Sequence, residues 1–335
     1  MRAQDAAPSI RCFEGGAGGL HEIDRAAATA GIRHALASLD EADRGFVWVE
    51  IAAPTETEAK YLRDELGMHH LAVEDCLRGR QRPKIDHYAG YSFLVYYATR
   101  LNPARSRVAL NELHLFLGRG FLITVHSHEI PEIEEVIAAC REAPARRSDS
   151  IAVAHALLDA ITDRYFPLIE HFSNRIEGFE EQVFLEMPTT SMEKVADLRR
   201  ELIHVRRVLA PQRDVVSLLV RRDLPFIRAE LLPYFQDVHD HILRATEEVD
   251  TLRDLLTGLI DIYGSSSARQ LNQTMRTLTA WSIILMTMGL VAGVYGMNFR
   301  RMPELEWGWG YAFALVLMLG LGGWLLRYFR TRQWL

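Results

Sequence analysis

Asn298 closes the tetrapeptide Tyr295-Gly296-Met297-Asn298 near the end of residues 277–299, a run of 23 residues with no Asp, Glu, Lys or Arg. Its amide oxygen is a neutral acceptor that can hydrogen-bond the waters of a hydrated cation without the tight hold of a carboxylate. Mg²⁺ surrenders its waters reluctantly, so recognition through the hydration shell suits that ion. An Asn at a helix C-terminus also serves as a plain cap, and the residue alone does not separate the two roles. A second constellation is acidic. Asp237 and Asp240 stand three residues apart on a predicted helix, a spacing that an ordinary solvated face would show equally well. Among 13 histidines, only His126 and His128 would point together, if their run is extended, because residues i and i+2 align on a strand and diverge on a helix. A zinc site is one reading of that pair; polar surface histidines without cysteine partners are the commoner arrangement.

These groups need elements that hold them at a membrane. Residues 277–299 and a second uncharged run of 20 residues, 307–326, are each long enough to cross a bilayer. The chain has 335 residues, 49% hydrophobic and 24% charged, enough to bury a substantial core ahead of that pair. Residues 1–276 carry 33 basic and 42 acidic side chains, a net of −9, whereas residues 277–335 carry five basic and two acidic, a net of +3. An acidic soluble part speaks against nucleic acid as partner and suits a surface that gathers cations. Three Arg and no acid in residues 327–335 place the C-terminus in the cytoplasm, and a two-span hairpin brings the N-terminal part to the same side. Arg300 and Arg301 in the short intervening loop oppose that orientation. Cys12, Cys76 and Cys140 are far apart with no CxxC pair, which indicates a reducing compartment and neither a disulfide framework nor a thiolate zinc site. The first residues lack an apolar signal region, so the hairpin is the expected anchor.

Along the chain, residues 1–40 are Ala- and Gly-rich with little pattern and read as a leader. Residues 46–52 (FVWVEIA) form a strand-like run, TETEAKYLRDELG a capped helix, and YSFLVYYATR, VALNELHLFLG and GFLITVHSH further strands. Strands with interspersed helices predict an α/β domain. From Ser148 long helical runs take over. From Tyr234, apolar residues recur at Val238, Ile242, Ala245, Val249, Leu252, Leu256 and Leu259, one helical face. No proline intervenes between Pro233 and Pro303, so one helix of about 90 Å is expected to enter the first span, with a bend possible at Gly264–Ser267. Asn272, Met275, Leu278, Ser282, Met286, Gly289 and Gly293 continue a face into the span, either a small-residue packing surface or a pore lining that requires a ring of subunits. Trp307, Trp309, Tyr311, Trp324, Tyr328 and Trp334 bracket the second span as interfacial aromatics.

YGMNF, followed after two arginines by MPEL, between two terminal spans and ahead of a basic tail ending in Trp-Leu, closely resembles the CorA family of magnesium and cobalt channels. HHLAVEDCLRGRQRPKID, LLDAITDRYF and LPYFQDVHDHI resemble that family's upstream segments, so the likeness spans most of the chain. The resemblance implies an α+β membrane protein: an α/β cytoplasmic domain (residues 1–147), a helical region with a stalk helix (148–276) and a two-helix transmembrane pore domain (277–335), assembled as a homopentameric funnel in the cell inner membrane. It implies a selectivity filter at Gly296, Met297 and Asn298, and pore or gate positions at Asn272, Met275, Leu278 and Met286. It further implies regulatory inter-subunit Mg²⁺ sites drawn from Glu74, Asp75, Asp159, Asp237, Asp240 and His241. Mg²⁺ is then both cargo and regulator, with Co²⁺ and Ni²⁺ as further cargo. Bound Mg²⁺ would bridge carboxylates that otherwise repel across subunit boundaries and so hold the channel closed. The chain departs from the family pattern at Arg300 and Arg301, where Glu304 and Glu306 offset the positive charge, at His70 and Thr287, where proline is common, and at Gly289, where a hydroxyl residue is common.

Three other readings compete: the zinc-transporting branch of the same superfamily, a membrane-tethered divalent sensor that does not conduct, and a metal-dependent hydrolase using Glu74, Asp75 and Asp86. The last lacks a nucleophile and base to accompany its acids, and no GxxxxGK[ST] loop supports ATP-driven pumping. The chain is therefore read as a non-enzyme.

Overall fold

The runs expected as strands pair into one sheet. The structure, a computed structural model, describes residues 9–16, 18–37, 45–102, 107–143, 149–184, 189–221, 227–298, 302–303 and 306–335. Seven strands, β1 (Ser9–Gly16), β2 (Gly19–Glu22), β3 (Gly45–Ala52), β4 (Lys84–Tyr88), β5 (Tyr91–Asn102), β6 (Arg107–Gly118) and β7 (Phe121–His126), lie in the order β2-β1-β3-β7-β6-β5-β4. β3 and β7 run parallel, with Val47 opposite Phe121, and the other neighbours are antiparallel. The segment read as an unpatterned leader is structured: β1 and β2 form a hairpin at the sheet edge, followed by helix α1 (Arg25–Ala37). Glycine obscures this in the sequence because it weakens strands, yet the packing requires it. A Cβ on Gly15 would stand 2.3 Å from the Phe46 ring, and one on Gly31 would stand 2.7 Å from Val47.

On one face of the sheet, α1, α2 (Glu56–Lys60, continued by a π-helical turn to Glu65) and α3 (His70–Arg78) close a core around Val49, Ile51, Phe93, Val95 and Phe116. Thr55 caps α2, and its own N–H donates to the Glu58 carboxylate at 2.9 Å, a capping box at the start of the helix expected for that run. His69 caps α3, accepting from the Leu71 amide at 3.4 Å. Further helices are α4 (Pro131–Glu142), α5 (Ser150–Asp163), α6 (Tyr165–Phe184) and α7 (Thr189–Val220). The first long helical run thus divides at Arg164. Pro167 lacks the N–H that would bond the Asp163 carbonyl, so α5 stops there and α6 begins with proline in its first turn.

β4 pairs with β5 only from Tyr91 to Val95, which leaves the next part of β5 without a strand on that side among the described residues. Gln212 of α7 takes its place. Its amide oxygen accepts the Tyr97 N–H, its Nε2 donates to Tyr165 Oη at 3.1 Å, and Tyr165 Oη donates to the Tyr97 carbonyl at 2.9 Å. Gln212 and Tyr165 are fully buried, so this ring of hydrogen bonds satisfies groups that would be costly to leave bare.

Helix α8 (Leu232–Tyr295) follows, unbroken through Gly264–Ser267, and α9 (Gly310–Thr331) ends the chain. The expected stripe from Val238 to Leu259 is buried at every position. Backbone contacts divide the protein into two units, Met1–Thr257 and Gly258–Leu335. In the second unit, Ala280 and Ile284 pack against Phe329, with Met288, Leu325 and Leu326 around them. Gly322 of α9 faces Met288 of α8, and a Cβ there would lie 3.5 Å from Met288 Sδ, at ordinary van der Waals contact. Both helices are long and apolar enough to cross a membrane.

Candidate functional site

In the first unit, Asp159 and Asp163 stand one turn apart on α5, on one face of the helix. His241 of α8 meets them: its Nδ1 lies 3.1 Å from Asp163 Oδ1 and its Nε2 lies 3.9 Å from Asp237 Oδ1. One ligand atom from each of Asp159, Asp163 and His241 falls within 4.8 Å of the others. Burial pushes the Asp159 carboxyl above its ordinary value; Asp163 and Asp237 add to the rise, and His155 and His241 oppose it. A carboxylate held above its ordinary value by burial and like charge is one whose charge a bound cation would stabilise. The donor set suits a divalent ion, Mg²⁺ through carboxylate oxygens and retained waters, Co²⁺ or Ni²⁺ with the imidazole as well.

The other acids expected at regulatory sites have different partners within one chain. Glu74 pairs with Arg78 at 2.6 Å, and Asp75 with Lys84 at 2.9 Å. Lys84 also holds Asp86 at 2.6 Å, so two of the three acids of the hydrolase reading share a lysine. Asp240 is exposed, 3.5 Å from His239 Nδ1. Asp163 was not among the expected residues, although its spacing of four from Asp159 in LLDAITDRYF carries the signal. The segment after α3 is anchored by Glu112, which accepts the Arg80 and Gln81 amides, the latter at 2.8 Å.

The His126/His128 pair does not offer two free ligands. His126 Nε2 faces Glu50 Oε1 at 3.1 Å and its Nδ1 faces the His128 carbonyl at 2.8 Å. Glu50 is itself buried and bonded to Arg11, so both imidazole nitrogens serve the sheet.

In the second unit, the face of α8 opposite its contact with α9 is uncovered. Asn272, Met275, Leu278, Ser282, Met286, Gly289 and Gly293 are all exposed, with Met275, Leu278 and Met286 at 60%, 67% and 73%. Packing within one chain therefore does not account for the stripe, and its large apolar members remain available to lipid or to other copies. The helix ends at Tyr295. The Gly296 N–H bonds the Ala292 carbonyl at 2.9 Å, and Met297 and Asn298 follow, exposed. Glu306 is described and exposed; Arg300, Arg301 and Glu304 lie outside the described residues.

The sequence profile of the family described as CorA-like Mg²⁺ transporter protein matches residues 43–331. The putative metal ion transporter YfjQ of Bacillus subtilis is 36% identical over 270 residues, covering 80% of this chain and 83% of its own. The cobalt/magnesium transport protein CorA of Thermotoga maritima is 31% identical over 295 residues, covering 86% and 83%. The zinc transport protein ZntB of Pectobacterium atrosepticum matches at 23% over 76% of this chain and 78% of its own. The complete structure of the CorA magnesium transporter from Methanocaldococcus jannaschii superimposes with a TM-score of 0.82, covering 98% of this chain and all of that one. At 21% identity that likeness is one of fold.

Proposed function

Because the chain belongs to the family of CorA-like Mg²⁺ transporter proteins, a family of membrane transporters of divalent metal ions, we propose that it is a homopentameric channel admitting Mg²⁺, and with it Co²⁺ and Ni²⁺, to the cytoplasm. It would sit in the cell inner membrane with both termini cytoplasmic and would let the ion run down its electrochemical gradient.

The observation that carries this reading is the uncovered face of α8. Two spans cannot enclose a water path, whereas a ring of copies, each turning Asn272, Met275, Leu278 and Met286 inward and α9 outward, can. Met275 and Leu278 form the apolar neck, which closes by excluding water. Asn298, with Gly296 and Met297, stands where the path opens outward, and its amide oxygen binds an ion through its hydration shell. That preference for an ion that keeps its waters favours Mg²⁺ over Zn²⁺, whose usual ligands are thiolate and imidazole. Mg²⁺ at Asp159, Asp163, Asp237 and His241, together with Glu74, Asp75 and Asp240 across subunit boundaries, supplies the feedback that closes the channel.

The test is uptake by proteoliposomes. Asn298→Ala is expected to abolish Mg²⁺ entry while leaving the mass of the solubilised assembly unchanged; wild-type flux in that variant overturns the filter assignment. A monomeric mass in lipid, or zinc entry without magnesium entry, overturns the reading itself.

A further inference from the structure

The last residues of the chain make a turn that fastens α9 to α8. Gln333 has a left-handed backbone, φ 56°, rare for a residue with a side chain. On either side of it, the Gln333 N–H bonds the Arg330 carbonyl at 3.1 Å and the Trp334 N–H bonds the Phe329 carbonyl at 3.0 Å. This is a Schellman closure with a non-glycine residue at its left-handed position. The accompanying apolar contact is present too, the Trp334 ring lying stacked on Phe329 at 5.5 Å between centroids.

A helix cap of this kind needs nothing from a neighbouring helix, yet here α8 supplies two donors. Thr277 Oγ1 donates to the Trp334 carbonyl at 2.9 Å, and Gln273 Nε2 donates to the Gln333 carbonyl at 3.2 Å. Gln273 and Thr277 are one helical turn apart, so the two bonds hold one face of α8 against the turn. Around the helix axis Thr277 stands about 160° from Met275 and about 100° from Leu278, and Leu278 borders the same shallow pocket as Gln273 and Thr277. Rotation of α8 about its axis at this level breaks both bonds, and the same rotation redirects Met275 and Leu278.

We propose that the C-terminal turn at Gln333–Leu335 is a latch on the pore-lining helix, and that Thr277 and Gln273 are positioning residues that fix the direction in which Met275 and Leu278 point. The proposal rests on the pore reading of α8. In the latched arrangement the neck is held shut; releasing the latch lets α8 turn and the neck leak.

The test compares Thr277→Val, which keeps the shape and removes the donor, with Thr277→Ser, which keeps the donor, in proteoliposomes loaded with Mg²⁺ at a closing concentration. One net hydrogen bond moves an equilibrium by roughly two- to ten-fold, so T277V is expected to raise residual Mg²⁺ entry by about that factor and T277S to restore the wild-type level. Hydrogen exchange of the peptide covering 331–335 gives a readout independent of flux: faster exchange in T277V, normal exchange in T277S. Residual entry and exchange in T277V equal to wild type overturn the latch, as does a T277S variant indistinguishable from T277V. A wild-type protein with a protected tail and no Mg²⁺ flux instead overturns the transport reading, and the structural latch stands.

Discussion

The imidazole Nδ1 of His241 lies 3.1 Å from Asp163 Oδ1, joining α8 to the last residue of α5 across 78 positions of sequence. With that nitrogen held, the ring's Nε2 faces Asp237, so the orientation of the imidazole is set by one carboxylate while its other edge is presented to a second. Removal of Asp163 therefore reaches beyond one ligand. Asp163→Asn is expected to reduce the rise in melting temperature produced by Mg²⁺ or Co²⁺, a rise that reaches about 2.7 kcal/mol of stabilisation at a metal concentration 100-fold above Kd. Thermal unfolding with and without metal measures it, and an undiminished metal increment removes the cluster from consideration as a divalent site.

Asp159 carries a pH dependence whose sign follows from burial. Its folded-state carboxyl titrates above the ordinary value, so between the two values the folded protein holds a proton that the unfolded chain has released. Stability from this group falls as pH rises through that window and stays low at neutral pH. Asp159→Asn is accordingly expected to raise the metal-free melting temperature at pH 7, to lose that advantage below the ordinary carboxylate value, and to lose metal response at pH 7. A variant less stable than wild type at neutral pH without metal contradicts this.

Leu278 is expected to act on conduction rather than on stability, since it is largely exposed in the single chain. If Leu278 forms the proposed neck, Leu278→Asn wets it, and Mg²⁺ entry under closing conditions is expected to rise on the order of ten-fold. Flux assays at high and low internal Mg²⁺ separate this from a general change in conductance, which would raise both equally.

Gln212 is expected to matter for folding and not for ion choice. Gln212→Leu strips a partner from the Tyr97 amide and from the Tyr165 hydroxyl, each costing about 1–3 kcal/mol when left buried and bare. The melting temperature of the purified protein is the measure. A loss of only a few tenths of a kcal/mol means water reaches the strand edge.

Much of this was legible in the sequence because period carries it. FVWVEIA, YSFLVYYATR and GFLITVHSH became β3, β5 and β7, and the stripe from Val238 to Leu259 is buried throughout. The face from Asn272 to Gly293 was legible as a stripe, and its exposure shows that packing within the chain does not account for it. The first hairpin was not legible, because Gly15 and Gly16 suppress the strand signal and the reason for Gly15 is Phe46, 31 residues on. Gln212 was hidden for a related cause: an isolated amide in a helix announces nothing until the strand edge it serves is known. Asp163 was within reach, since a spacing of four from Asp159 is itself a helical-face pattern. The Thr277 bond to Trp334 depends on a turn that glycine normally marks and that Gln333 makes here instead.

The ring formed by Gln212 has a consequence for synthesis. Tyr97 leaves the ribosome 115 residues before Gln212, which at ordinary rates of translation is about 6–23 s. Once Gly118 has followed, the β5–β6 hairpin is complete, yet until Gln212 arrives part of its outer border still offers amides and carbonyls to any strand that passes. The nascent chain must reach α7 before its sheet is safe from a neighbouring polypeptide, so fragments that stop short of Gln212 are the ones expected to demand a chaperone.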